Sequence, residues 1–230
     1  MIEEPPVLTI AGRDSRKRPS ASQIEAFRDV PTGFVTDAME GLGALDYRIK
    51  PLPGLPAKLV GPALTCSSGP ADIMALLATL PEVVPGDVVL NAAGGWTGCA
   101  AMGDRVSGML KNCGAAGAVT DGLARDLEGI LKVGMPLFCA GLNPNSPYCK
   151  GPGTVGLPIE IGGLRVESGD MIVADADGVV VVPFARIDEV IARVGEVAKL
   201  ETALDAEVAA GLAIPDDVKA LVGGPGVARV

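Results

Sequence analysis

The stretch that decides the fold lies at residues 86–140 and reads GDVVLNAAGGWTGCAAMGDRVSGMLKNCGAAGAVTDGLARDLEGILKVGMPLFCA. Short apolar runs bounded by Gly, Pro or Asp alternate in it with segments of helical spacing. The predicted order is a strand at 88–91, a helix within 99–112, a strand at 116–120, a helix at 123–133 and a strand at 136–140. This alternation of strand and helix predicts an α/β core.

The flanking sequence extends this core in both directions. Upstream, we predict two short helices around Pro31, a strand at 59–67 and a helix at 71–80. Downstream, a loop at 141–154 leads to strands at 157–161 and 163–166 and to a hairpin that turns through residues 175–178. A long amphipathic helix after Pro183 and one further short helix end the chain. The prediction is one domain, with a core at about 21–183 and a helical C-terminal extension at 184–230.

Composition narrows the class of protein. The chain has 230 residues, of which 48% are hydrophobic, so it can bury a sizeable core. Acids and prolines occupy the first residues, where a secretory signal would have a basic start and an apolar run. Every apolar run is shorter than the ~18 residues that span a bilayer. We therefore expect a cytoplasmic protein that does not engage a membrane.

Charge and cysteine content exclude further classes. The net charge of −9 repels nucleic acid, and the one dense basic cluster (Arg13, Arg16, Lys17 and Arg18) lies in a segment that resembles a tail. Aromatic residues make up only 3% of the chain, so base-stacking platforms are also missing. The five cysteines are scattered without a C-x-x-C pair, which predicts core residues rather than disulfides or a zinc knuckle.

The chain contains no histidine. Within one chain, this excludes Ser-His-Asp and Cys-His catalysis, histidine zinc sites and histidine general bases. Any chemistry must use carboxylates, Arg, Lys, hydroxyls, backbone amides or a bound hard cation.

Two segments could carry such chemistry. The glycine-rich loop at 92–98 could bring amides to an anion, although it matches neither nucleotide-binding fingerprint and the alternative is a simple tight turn. The segment Asp121 to Asp126 follows a strand, where ligands gather in open α/β sheets, although an adjacent Arg125-Asp126 pair is also common on surfaces.

Adjacent parallel strands would bring both segments to one edge of the sheet and cluster Asp104, Arg125, Asp126 and free amides around one pocket. Carboxylates with an Arg and no His suit Mg²⁺ or Mn²⁺.

Asp104, twenty intervening residues and then Arg125-Asp126 resemble the D-x20-R-D signature of the class II pyruvate aldolases. That family is typified by 4-hydroxy-4-methyl-2-oxoglutarate aldolase and includes the regulator of ribonuclease activity A. Other stretches agree in order and spacing between Thr36 and Pro183. They are Thr36-Asp37-Ala38-Met39, Gly61-Pro62-Ala63-Leu64-Thr65, Pro85-Gly86-Asp87-Val88, Gly117 to Gly122, and Gly169-Asp170 through Ala174-Asp175 to Gly178-Val179-Val180-Val181-Val182-Pro183.

The resemblance implies a swivelling α/β/β sandwich that assembles as a homotrimer or homohexamer, with sites between neighbouring chains. It implies that Asp126 binds the metal directly, that Arg125 faces the substrate and that Asp104 acts through metal-bound water. Glu201 is a candidate for the acid that the family supplies from a neighbouring subunit, and the alternative for Glu201 is a solvated helix face.

Two departures from the family pattern bear on the substrate. Gly129 stands where the family usually has an acid, with Glu128 one place earlier. The helix that commonly opens with Gly-Glu-Leu-Leu opens here with Gly103-Asp104-Arg105-Val106. At this helix start, Gly103 and the amides of Arg105 and Val106 are predicted to hold a substrate carboxylate.

The resemblance implies a metal-dependent lyase. It would cleave substrates of the 4-hydroxy-4-methyl-2-oxoglutarate type, decarboxylate oxaloacetate, or do both, through the same pyruvate enolate. An alternative is a non-catalytic regulator whose acidic surface binds a ribonuclease. A lyase or hydrolase acting on another metal-chelating acid is a third possibility.

Overall fold

The computed structural model describes residues 6–229. The α-helices are α1 Ala21–Glu25, α2 Thr32–Ala38, α3 Met74–Ala78, α4 Asp104–Asn112, α5 Leu127–Val133, α6 Ile187–Ala209 and α7 Asp216–Gly223. The strands are β1 Leu8–Ile10, β2 Lys50–Pro51, β3 Leu59–Ser67, β4 Val88–Ala92, β5 Ala100–Met102, β6 Gly117–Thr120, β7 Leu123–Ala124, β8 Leu137–Cys139, β9 Gly153–Val155, β10 Ile159–Ile161, β11 Leu164–Val166, β12 Met171–Asp175 and β13 Gly178–Val182.

A mixed sheet forms the centre of the fold. Strands β3, β4, β6 and β8 lie side by side and parallel. Strand β2 pairs antiparallel with β8, and β9 joins β3 to β1 at the other side. The hairpin of β12 and β13 pairs with the first half of β3, and β10 pairs with β11 in a small separate sheet.

Both faces of the central sheet are covered, by different layers. Val89 points into a core with the helical residues Leu76 and Leu110, whereas its neighbours Val88 and Leu90 point into a core formed with β10 to β13. Successive side chains of a strand point to opposite faces, so the unbroken apolar run of β4 fits a strand buried on both sides. The predicted α/β/β fold and long C-terminal helix are confirmed.

Several predicted boundaries were correct and others were wrong. The strand at 59–67 has the predicted bounds, but residues 100–102 form β5 rather than the first turn of a helix. The helix predicted from 123 begins at Leu127, because residues 123 and 124 form β7, which pairs parallel with β5. Ala100, Ala101 and Met102 favour a helix by intrinsic propensity, so pairing with the distant strand β7 overrode their local preference.

The basic cluster near the N-terminus packs against the folded domain rather than forming a free tail. The guanidinium groups of Arg16 and Arg18 pair with Asp87, whose side chain is fully buried, at the start of β4. Asp87 also accepts a hydrogen bond from the amide of Val84, at 2.9 Å. The prediction of a tail-like segment was wrong, because the charges that suggested solvent exposure neutralise a buried carboxylate.

The contacts divide the chain into two compact units, one ending at Val194 and one beginning at Gly195, within the extension predicted at 184–230. All five cysteines are free, and Cys66, Cys99 and Cys139 are buried, as expected of core residues. Among the described helices, none has both the length and the apolar composition needed to cross a membrane.

Candidate active site

The two halves of the predicted motif meet through a short parallel pairing. Strand β5 leads directly into α4, which begins at Asp104, and β7 leads directly into Arg125 and Asp126. One further hydrogen bond continues the pairing of these strands, from the amide of Arg125 to the carbonyl of Met102, at 3.0 Å. Residues separated by twenty positions in sequence are therefore neighbours.

Asp104, Arg125 and Asp126 line one cavity of about 510 Å³. This volume lies in the range of small-molecule sites, roughly 300–1,000 Å³. Among the remaining lining residues, only Arg105 has a polar side chain. These residues are Ile73, Leu77, Ala100, Met102, Gly103, Arg105, Val106, Met109 and Pro147. The three side chains that were expected to cluster do so.

Asp126 has an unusual backbone conformation. Its φ of 62° and ψ of 46° lie in the left-handed region, just before the first residue of α5. Asp and Asn tolerate this region better than most residues, but it still costs of the order of 1 kcal/mol. None of the described hydrogen bonds uses the Asp126 carboxylate to cap α5. That carboxylate instead lines the cavity, with Oδ2 3.4 Å from Nε of Arg125.

Two glycines leave room for the carboxylates. A Cβ atom at Gly129 would lie 2.5 Å from Oδ2 of Asp104, and one at Gly103 would lie 2.9 Å from Oδ2 of Asp126. Neither position can hold a larger residue unless a carboxylate moves. The absence of an acid at Gly129 thus has a local reason, because Asp104 occupies the space that a side chain there would need.

The amides at the start of α4 are partly engaged. The amide of Arg105 donates to Oδ1 of Asp104 at 2.7 Å, and the carbonyl of Gly103 accepts from the amide and hydroxyl of Ser107. The amide of Val106 lies in the first turn, where N–H groups lack partners within the helix. The substrate-binding roles of Gly103, Arg105 and Val106 remain predictions.

The loop at 141–154 supplies residues that the sequence reasoning missed. Ser146 accepts a hydrogen bond from Nη1 of Arg125, and Pro147 lines the cavity. This loop follows β8 at the carboxyl edge of parallel strands, where ligands gather in such sheets. That position was the signal that could have identified the loop.

The glycine-rich loop does not contribute free amides to this cavity. The amides of Ala93 and Gly95 donate to the carboxylate of Asp121, at 2.6 Å and 3.0 Å. Burial raises the pKa of Asp121, and these donors only partly counteract it. Gly94 and Gly95 line a separate cavity with Asp121. The expectation that this loop supplies free amides to the pocket was wrong, because a carboxylate of the chain itself binds them. The positive φ values of Gly94 and Gly95 agree with the alternative, a tight turn.

Asp72 connects the loop at 141–154 to the start of α3. Its Oδ2 accepts hydrogen bonds from the amides of Lys150 and Gly151, at 2.7 Å and 3.2 Å, and its Oδ1 accepts from Met74 at 2.7 Å. These contacts displace the start of the helix predicted at 71–80 to Met74. Partial burial acts to raise the pKa of Asp72, but the backbone donors together outweigh it and lower the pKa.

We expect Asp72→Asn to lower the free energy of unfolding at pH 7 by about 1 kcal/mol, since the ionised acceptor of several amides is lost. The folded pKa of Asp72 lies below its unfolded value. Its stabilisation is therefore complete above the unfolded pKa, about 3.9, and disappears as the pH falls through the folded pKa. Urea unfolding of both proteins at several pH values should give curves that converge in acid. Equal stability at pH 7 would contradict the anchoring role.

The donor set fits a hard divalent cation. Mg²⁺ keeps several waters and takes only one or two protein carboxylates, and Asp104 and Asp126 present two in one cavity. Among residues 6–229, no group of three or more His, Cys, Asp or Glu side chains is placed to hold a metal. Glu201 lies on α6, in the unit that begins at Gly195, and its role from a neighbouring subunit remains a prediction.

The chain is similar in sequence to known proteins over most of its length. Residues 32–181 match the RraA-like family, described as Aldolase/RraA. A protein of Halalkalibacterium halodurans with the provisional name 4-hydroxy-4-methyl-2-oxoglutarate aldolase is 39% identical over 168 residues, which cover 73% of this chain and 80% of the relative.

Solved structures with the same fold include an uncharacterized protein of Pseudomonas syringae pv. tomato. It is 26% identical, with a TM-score of 0.76, and the match covers 86% of this chain and 92% of that chain. Streptomyces coelicolor RraAS2, described as an unusual member of the RNase ES inhibitor RraA family, is 29% identical with a TM-score of 0.73. That match covers 83% of this chain and all (100%) of the other.

Proposed function

Because the chain belongs to the RraA-like family of aldolases and RraA proteins, we propose that it is a divalent-metal-dependent carbon–carbon lyase acting on small 2-oxo acids. The proposed reactions are retro-aldol cleavage of substrates of the 4-hydroxy-4-methyl-2-oxoglutarate type and decarboxylation of oxaloacetate. Both release pyruvate after its enolate forms. Mg²⁺ or Mn²⁺ is the proposed cofactor, and a homotrimer or homohexamer is the proposed assembly.

The convergence of Asp104, Arg125 and Asp126 on one cavity carries this proposal. Asp126 keeps a strained backbone conformation while its carboxylate caps no helix, a pattern typical of functional sites. We propose Asp126 as the direct ligand of the cation and Asp104 as the acid that acts through water. The bound cation would supply Lewis acidity to the 2-oxo group.

Arg125 has the position and chemistry to bind the 2-oxo end of the substrate. Its side chain is about one-third exposed (34%), and Asp126 and Ser146 hold its guanidinium at the cavity wall. The planar guanidinium can donate two hydrogen bonds to a carboxylate or to adjacent oxygens. As the bond between C3 and C4 breaks, its electron pair forms the C2–C3 double bond of the enolate, and negative charge develops on the 2-oxo oxygen. Arg125 would stabilise this charge.

Asp104 is the candidate for moving the proton. Retro-aldol cleavage requires the 4-hydroxyl group to lose its proton, and the chain has no histidine to accept it. Asp104 would draw this proton through an intervening water molecule, and the enolate would take up a proton at C3 to give pyruvate. Decarboxylation of oxaloacetate releases CO₂ and gives the same enolate without this base, so one site can serve both reactions.

We expect the purified protein to release pyruvate from oxaloacetate and from 4-hydroxy-4-methyl-2-oxoglutarate when Mg²⁺ or Mn²⁺ is present. A coupled lactate dehydrogenase assay measures this release, and chelation with EDTA should abolish it. Oxaloacetate also decarboxylates slowly with free metal, so the control is metal without protein. Release of pyruvate from neither substrate would refute the proposal.

Regulation of a ribonuclease is a second candidate function. The similarity to RraAS2, together with a net charge of −9, favours it. An acidic surface could bind a basic segment of a ribonuclease by charge complementarity. Inhibition of an RNase E-type enzyme by the purified protein, without turnover of any 2-oxo acid, would favour this function over the lyase.

A further inference from the structure

Arg105 is a second arginine of the active-site cavity. It is the second residue of α4 and lines the cavity together with Met109, one helical turn further along. Residues four positions apart share a helix face, so the face that carries Arg105 is the one directed to the cavity. Arg105 is exposed and, within residues 6–229, forms no ion pair.

Arg105 and Arg125 differ in how they are engaged. Arg125 is held by Asp126 and Ser146, and its charge is partly compensated. Asp104 directly precedes Arg105, but consecutive side chains of a helix point about 100° apart and do not face each other. Only the backbone amide of Arg105 contacts the Asp104 carboxylate. The guanidinium of Arg105 is therefore available to a ligand.

The charge of the cavity indicates which ligand this is. Its lining contains two aspartates, Asp104 and Asp126, and two arginines, Arg105 and Arg125, whose charges cancel. A bound divalent cation raises the total to +2. A monocarboxylic 2-oxo acid neutralises half of this charge, and the cation and Arg125 would take up its carboxylate and oxo groups. A dicarboxylic acid neutralises all of it and has a second carboxylate to offer.

We propose that Arg105 binds the distal carboxylate of the substrate and makes the site selective for dicarboxylic 2-oxo acids. This rests on the proposed lyase function and identifies a specificity-determining residue within it. In retro-aldol substrates the distal carboxylate leaves intact on the second product, so Arg105 contributes to binding more than to the bond-breaking step. In oxaloacetate the distal carboxylate is itself lost as CO₂, so this role of Arg105 applies to the retro-aldol substrates.

Two non-reacting ligands with five carbons each isolate this contribution. 2-Oxoglutarate has a carboxylate where 2-oxopentanoate has a methyl group, and the two ligands share the 2-oxo acid end. With Mn²⁺-loaded protein in a calorimeter, we expect 2-oxoglutarate to bind about tenfold more tightly, as expected for one charge-assisted hydrogen bond. In Arg105→Gln the ratio of the two dissociation constants should fall below about threefold.

Two further variants complete the test. Arg105→Lys keeps the charge and should retain part of the preference. Arg165→Gln removes a different exposed arginine, which pairs with Glu167 outside the cavity, and should keep the tenfold ratio if the effect is local. A preference that survives in Arg105→Gln, or one that Arg165→Gln reduces equally, would overturn the inference.

Pyruvate release by the same preparations separates this inference from the proposed function. Turnover with a preference that does not depend on Arg105 overturns the inference alone. Binding that depends on Arg105, without turnover of any 2-oxo acid, supports the inference and refutes the lyase. A wild-type protein that binds neither ligand overturns the inference, and it counts against the lyase only if pyruvate release is absent as well.

Discussion

Asp126→Asn should reduce metal-dependent pyruvate release at least about 100-fold in kcat/KM, equivalent to about 2.7 kcal/mol of transition-state stabilisation. The substitution keeps the shape of the side chain and removes its negative charge. Asparagine also tolerates the left-handed conformation observed at this position, so the fold should be kept. Loss of the charge should weaken binding of the cation, which calorimetric titration with Mn²⁺ measures directly.

Glu128→Gln is the matched control for this experiment. Glu128 lies two residues further along, exposed on α5, and its substitution removes the same charge without touching the cavity. It should bind Mn²⁺ and turn over substrate as the wild type does. If Asp126→Asn kept both properties, Asp126 would not be the ligand. If both variants lost affinity for Mn²⁺ equally, the loss would reflect the general charge of the protein and would not support Asp126 as the ligand.

Asp87→Asn should lower the free energy of unfolding by about 3–5 kcal/mol, because it removes one partner of a buried ion pair. Asp87 is fully buried, and the side chain of Arg16 is only 6% exposed. Nη2 of Arg16 also donates to the carbonyl of Glu82, at 2.6 Å, so the guanidinium cannot move to water without further loss. Denaturant unfolding monitored by circular dichroism measures the change.

The control is Asp29→Asn, which breaks the exposed pair with Lys58 and should leave the unfolding midpoint within error. The double variant Asp87→Asn with Arg16→Met tests the cause. It removes both buried charges and should regain part of the lost stability, even if the single variant folds poorly. If neither the single nor the double variant differed from the wild type, the pair would have no role in stability.

Local signals allowed parts of the fold to be predicted from sequence. The strand β3 was predicted with its observed bounds, since a short apolar run between Lys58 and a glycine-containing turn favours a buried strand. The hairpin of β12 and β13 and the helix after Pro183 also carried strong patterns. Parallel pairing of β4 and β6 followed from the alternation of strand and helix.

Other parts had no local signal. Strands β5 and β7 are only three and two residues long and exist because they pair with one another. The role of Arg16 could not be predicted, because a cluster of basic residues near a terminus is usually solvated. Its partner Asp87 also lies about seventy positions away in sequence. The occupied amides of the glycine-rich loop depend on Asp121, at the end of a different strand.

By itself, the sequence determined the fold class, the absence of histidine chemistry and the motif of Asp104, Arg125 and Asp126, because these depend on residue identity, periodicity and spacing. Only the tertiary structure decided what surrounds that motif. It directs the Asp126 carboxylate to the cavity through a left-handed backbone, fits Asp104 against Gly129 and leaves Arg105 without an ionic partner among the described residues. Such features arise from close packing between segments distant in sequence, where the available space and the nearest charge depend on the whole fold.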